Sequence, residues 1–129
     1  MTAFLLVSAG GFVGANLRYA ISVWAARRFG TEFPTGTLIA NLGGSMLMGL
    51  VLGLLSGWVA NDQQIRLLVA TGFLGAETTF STYTYQTMAM IRYKQVRPAV
   101  NYFFGSAALG LLAITLGLLI AYVLTDVVW

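Results

Sequence analysis

An all-helical integral membrane protein of four crossings, with the third broken near its middle, is predicted by three observations. The chain is 58% hydrophobic and only 9% charged, far below the quarter expected of a soluble domain. A hydrocarbon core about 30 Å thick takes roughly 20 apolar residues per helix, so 129 residues allow four crossings in a single domain and little else. The third apolar segment is too long for one simple span and contains two glycines, a carboxylate, a run of hydroxyls and two aromatics between Gly72 and Tyr83. A lipid-facing helix has no use for those groups. Broken backbone at bilayer depth survives only where protein or water satisfies its amides and carbonyls. Exposed carbonyls there can hold a cation, and exposed amides or hydroxyls an anion.

Inventory excludes much chemistry. The chain has no cysteine and no histidine, so disulfides, thiolate metal sites, histidine haem ligation and Cys/His or Ser/His nucleophilic catalysis are absent. An enzyme is not expected. The net charge of +3 fits loops at a membrane surface, and no basic patch interleaved with aromatics points to nucleic acid.

The first crossing is predicted over 3–26. The N-terminus has no basic region before its apolar run, so this reads as a crossing and not as a removed signal peptide. Gly10 and Gly14 form a small-xxx-small pair that lets another helix come close. Arg18 lies within this span or near its inner end. It can attract an anion, pair with Glu77, or snorkel to the interface. The stretch from Arg27 to Pro34 reads as a loop, because Pro34 stops any helix running through it.

The second crossing is predicted over 37–58, with Gly49, Gly53 and Gly57 as a smooth ridge. Asn41, Gly44 and Ser45 share one face. On spacing alone Asn41 reads first as an interhelical hydrogen bond and second as a pore donor. The third crossing is predicted over 63–93, opened by a cap at Asn61 or Asp62 and broken over 75–78. Thr78 or Thr79 caps its second half, which puts Phe80 and Tyr83 on one face. Glu77 is the only carboxylate inside a crossing. It reads as a proton relay, a cation ligand, or a group solvated in a vestibule. Aromatic ring edges such as those of Phe80 and Tyr83 carry partial positive charge and can hold a small anion loosely enough to release it. The fourth crossing is predicted over 98–124, with Tyr102 and Ser106 on one face and Gly110, Ala113 and Gly117 continuing near it. No internal repeat is found, so any symmetry comes from a second chain.

Three stretches in order, GGFVGANLRY at 10–19, GTLIANLGG at 36–44 and GFLGAETTFSTY at 72–83, resemble the Fluc, or CrcB, family of fluoride channels. The resemblance covers the whole chain. It implies a passive fluoride-selective channel built as an antiparallel homodimer in the bacterial inner membrane, with two fluoride pathways along the dimer interface. It assigns the anion pathway to Asn41, Thr79, Phe80, Ser81, Tyr83, Tyr102 and Ser106. Backbone carbonyls of Gly75 and Thr78 from both chains would hold a central structural sodium ion. Three departures stand out. Tyr83 occupies a position where the family usually has Phe, Ala76 replaces a second glycine, and Gly110 and Ile114 thin the polar track on the last helix.

A small proton-coupled multidrug exporter is the rival of similar size, but its essential acid sits in the first crossing, which here has none. An accessory subunit that uses its glycines only for packing leaves the break unexplained. Arg27, Arg28, Arg92, Lys94 and Arg97 fall on one side of the predicted topology and Arg66 on the other. That bias alone favours a single orientation, and hence an oppositely oriented sister chain as the alternative partner.

Overall fold

The computed structural model describes residues 1–57 and 63–126, and all its regular structure there is helical. The elements are α1 (Thr2–Phe29), α2 (Thr35–Gly57), a short α3 (Gln63–Ile65), a π-helical stretch (Arg66–Leu74), α4 (Gly75–Glu77), α5 (Phe80–Arg92) and α6 (Val96–Asp126). Three helices are long and apolar enough to cross a membrane, within α1, α2 and α6. The stretch for which a third crossing was expected is divided among α3, the π-helical turns, α4 and α5. The expected cap at Asn61 or Asp62 lies outside the described residues.

Arg27, Arg28 and Phe29 extend α1 by a turn where a loop was expected. The cations sit well there, because the last turn of a helix carries partial negative charge. Gly30 then ends the helix in the left-handed region, with φ 82° and its N–H on the Ala26 carbonyl at 3.0 Å. The α5–α6 turn does the same with Lys94 at φ 61°, and α6 begins two residues earlier than Pro98 suggested.

Two helix seams organise the subunit: α2 lies along α6, and α1 lies along the π-helical stretch and α4. Both are glycine seams. A Cβ on Gly10 would fall on the Leu68 carbonyl, and one on Gly14 on the Phe73 carbonyl. Gly49 faces the Ile114 carbonyl and Gly117 the Met46 carbonyl in the same way. Large apolar groups such as Phe4, Phe12, Leu111 and Leu119 instead face outward, while Ala25, Ala40, Ala99 and Ala121 are buried. This distribution suits a molecule whose solvent is lipid: hydrocarbon gives no drive to bury leucine, and close backbone packing holds the helices. Among the described residues, Tyr83, Met90, Ala99 and Tyr102 form a buried cluster that joins α5 to α6 beside Leu38 of α2.

The interruption falls later than the 75–78 expected. Gly75–Glu77 is helical, and the extended residues are Thr78 (φ −86°, ψ 156°) and Thr79 (φ −151°, ψ 122°). Two adjacent β-branched residues hold a helix poorly. Thr79 is also a good N-cap: its hydroxyl accepts the Thr82 amide at 3.2 Å.

Candidate functional site

A groove of about 610 Å³ runs along α2, the interruption, α5 and α6. Asn41, Thr78, Thr79, Phe80, Tyr83 and Ser106 all line it, and none of its lining residues is charged. Ser81 and Tyr102 are not on its wall. The Ser81 hydroxyl lies 3.3 Å from that of Thr79, and Tyr102 is buried in the α5–α6 cluster, 2% exposed.

Asn41 is the keystone. Its Oδ1 accepts the Thr79 amide at 2.8 Å and its Nδ2 donates to the Thr79 carbonyl at 3.1 Å. One side-chain amide thus satisfies the Thr79 N–H, which no helix satisfies, and adds a second bond to the carbonyl of the same residue. The interhelical hydrogen bond and the pore donor are not exclusive, because the second Nδ2–H remains for a ligand.

This clamp has a consequence for Gly75 and Thr78. In an unbroken helix the Thr79 amide would bond the Gly75 carbonyl, and the Thr82 amide the Thr78 carbonyl. Here Asn41 takes the first amide and the Thr79 hydroxyl takes the second. Among the described residues neither carbonyl has a hydrogen-bond partner in place of the lost one. The Thr78 hydroxyl, by contrast, donates back to the Leu74 carbonyl at 3.0 Å.

Phe80 lines the groove and is 74% exposed, so its ring is not packed away. Tyr83 is buried and lies 5.7 Å from the Phe80 ring, centroid to centroid, and 5.4 Å from the Phe103 ring in a stacked pair. Its hydroxyl donates to the Phe103 carbonyl, which directs the polar group of this unusual tyrosine into α6. The Ser106 hydroxyl is buried and has no partner among the described residues, so it remains a donor for whatever enters.

Glu77 is 2% exposed, which removes the reading of a carboxylate solvated in a vestibule. Its Oε2 has no hydrogen-bond partner among the described residues and lies where a Cβ on Gly44 would go. Arg18 of α1 is the cation whose charge acts on it.

Two groups escaped the sequence reading. Tyr102 donates to the Gln86 Oε1 at 3.1 Å, and the buried Thr37 lines a second, smaller cavity together with Gln86. Gln86 stands three residues past Tyr83, and that spacing was the available signal for it.

Together these groups offer a neutral, one-sided track of hydrogen-bond donors and ring edges, with freed carbonyls at the interruption. Donors without a fixed cation can take a small anion from water and still release it.

Residues 5–118 match a family model described as CrcB-like protein, Camphor Resistance (CrcB). The chain is 43% identical over 117 residues to a protein of Chloroflexus aurantiacus named fluoride-specific ion channel FluC, covering 91% of this chain and 93% of that one. It is 44% identical over 117 residues to a protein of the same name from Acidobacterium capsulatum, covering 91% and 94%. A third, from Clostridium perfringens and again so named, is 37% identical over 120 residues, covering 93% and 94%.

Proposed function

The chain belongs to the CrcB-like family, and on that premise we propose that it is a passive, fluoride-selective channel. The observation that carries this reading is the uncharged groove that Asn41, Ser106 and Phe80 line together. Fluoride is small and strongly hydrated, so several donors must replace its water at once. A lysine or arginine in the groove would hold it too tightly for conduction. Physiologically the channel lets fluoride leave: HF enters from acid surroundings, dissociates inside, and the ion exits through the inner membrane. The exporter reading has no support, since α1 contains no carboxylate.

We further propose that two antiparallel copies form the conducting unit, with a pathway on each side and a sodium ion at the centre. The groove is open on one side, and a second copy would close it. The available Gly75 and Thr78 carbonyls supply two ligands per chain. A four-oxygen cage without carboxylate suits a monovalent ion. It would fix the interruption of one chain against that of the other.

Protein reconstituted into liposomes should discharge a fluoride gradient at channel speed and leave chloride and a cationic dye in place. Equal chloride flux, or dependence on a proton gradient, would sink the proposal. Vesicles prepared without sodium should lose conduction; unchanged flux there removes the cation from the mechanism.

The Lys/Arg bias makes orientation a sharp test. A single Cys at Gln95 in an otherwise cysteine-free chain should react from both faces of intact cells. Labelling from one face only means a fixed orientation and a different, oppositely oriented partner.

Tyr83→Phe keeps the ring and removes the hydroxyl, which bonds Phe103 and is not offered to the groove. Fluoride flux should stay within about twofold, and stability should fall by about 0.5–1.5 kcal/mol in a thermal melt. Loss of flux would place the hydroxyl in the pathway.

A further inference from the structure

The Glu77 carboxylate is buried, and Glu77 is not among the residues that line the groove. Its Oε2 has no hydrogen-bond partner among the described residues. We propose that Glu77 offsets the charge of Arg18 from behind the groove wall, and that this compensated pair sets how tightly the groove holds its anion. The proposal rests on the fluoride-channel reading.

Three observations carry it. First, the carboxylate stands one residue back from the groove. A Cβ on Gly44 would fall on Glu77 Oε2 and on the Thr78 methyl, and Gly44 and Thr78 both line the groove. Second, Arg18 stands at the same junction of helices. A Cβ on Gly14 would lie 3.2 Å from the Glu77 amide nitrogen, and Arg18, half-buried, is one turn farther along the same face of α1. Its charge acts on the carboxylate. Third, the neighbouring elements bring no other charge to this place. No residue of α2 is ionisable. Arg66 and Arg92 stand at the far ends of the π-helical stretch and of α5. A unit charge about 8 Å from an anion, at an effective dielectric constant of about 20, changes its binding by more than about tenfold. Arg18 alone would therefore slow the release of fluoride, and Glu77 alone would oppose its entry. Together they leave the groove close to neutral.

The two charges have opposite signs, and so do the expected effects. Glu77→Gln keeps the shape and removes the negative charge, so the half-saturating fluoride concentration in channel recordings should fall by about threefold or more. Arg18→Gln leaves the carboxylate unopposed, and the same concentration should rise by about threefold or more. The double variant should return to within about twofold of wild type, because the pair is removed as a unit. A purely structural role moves both single variants in the same direction, and that result overturns the proposal. No shift in either single variant overturns it too, as does a double variant no nearer to wild type than the single ones. Should Glu77→Gln fail to assemble, Arg18→Gln and Arg18→Met carry the test: a fall or no change in both overturns the proposal. Wild-type protein that passes no fluoride defeats the channel reading itself, and this proposal with it.

Discussion

Asn41→Asp should reduce fluoride flux a hundredfold or more, measured as efflux from loaded liposomes. The substitution is nearly isosteric, so shape is not the cause. Asn41 Oδ1 accepts the Thr79 amide, and a carboxylate oxygen can still do that. The other oxygen, however, replaces the donor that bonds the Thr79 carbonyl at 3.1 Å. Losing that bond costs about 0.5–1.5 kcal/mol, and two acceptors then face each other. The added charge also stands on the wall of a groove that an anion must traverse. At about 4 Å and an effective dielectric constant near 20, the repulsion is about 4 kcal/mol. Since roughly 1.4 kcal/mol is a factor of ten, even half of this repulsion exceeds a tenfold loss. Asn41→Ser keeps one short donor without bridging Thr79, and should fall between the two. Wild-type flux in Asn41→Asp would remove this residue from the pathway.

Gly117→Val should abolish the folded subunit, or leave it several kcal/mol less stable. A Cβ at Gly117 falls on the Met46 carbonyl oxygen and 2.8 Å from the Leu50 nitrogen. Both atoms are backbone of α2, so no side chain can turn aside to make room. Gly49 presents the reciprocal contact, its Cβ position lying on the Ile114 carbonyl and 3.0 Å from the Leu118 nitrogen. The whole α2–α6 seam must open to admit the new side chain. Overpacking of this kind costs about 1–3 kcal/mol even where neighbours can adjust. Here it also removes the close contact that holds helices together in lipid. The groove uses the same two helices, with Met48 on one and Ile114 on the other, so flux should be lost with the fold. Gly43→Ala is the control, because nothing lies within 4 Å of its Cβ position. Thermal melts in detergent decide the matter: a Gly117→Val melt indistinguishable from that of Gly43→Ala would mean that the seam does not hold the subunit.

Much of this molecule was legible in the order of its residues, because the signals are local. Apolar length marks a crossing wherever it occurs, and glycines at fourfold spacing mark a seam whatever helix they meet. Asn41, Phe80, Tyr83 and Ser106 were assigned to a pathway by the family resemblance, and the tertiary structure sets all four on one groove. Other features depend on residues far apart in the chain. The Thr79 amide finds Asn41, 38 positions away, only because α2 passes beside the interruption. That pairing decides which carbonyls are freed, and no spacing rule contains it. Glu77 was open to solvent or burial by sequence, and the tertiary structure buried it because Gly44 leaves a space that its carboxylate fills. The π-helical turns of 66–74 have no mark in the sequence, and α1 lies against them at Gly72. Composition and spacing determined the membrane class, the helices and the candidate donors. The crossing of α2 with the interruption decided which backbone groups stay unpaired, because a hydrogen bond is assigned by proximity in space and not along the chain.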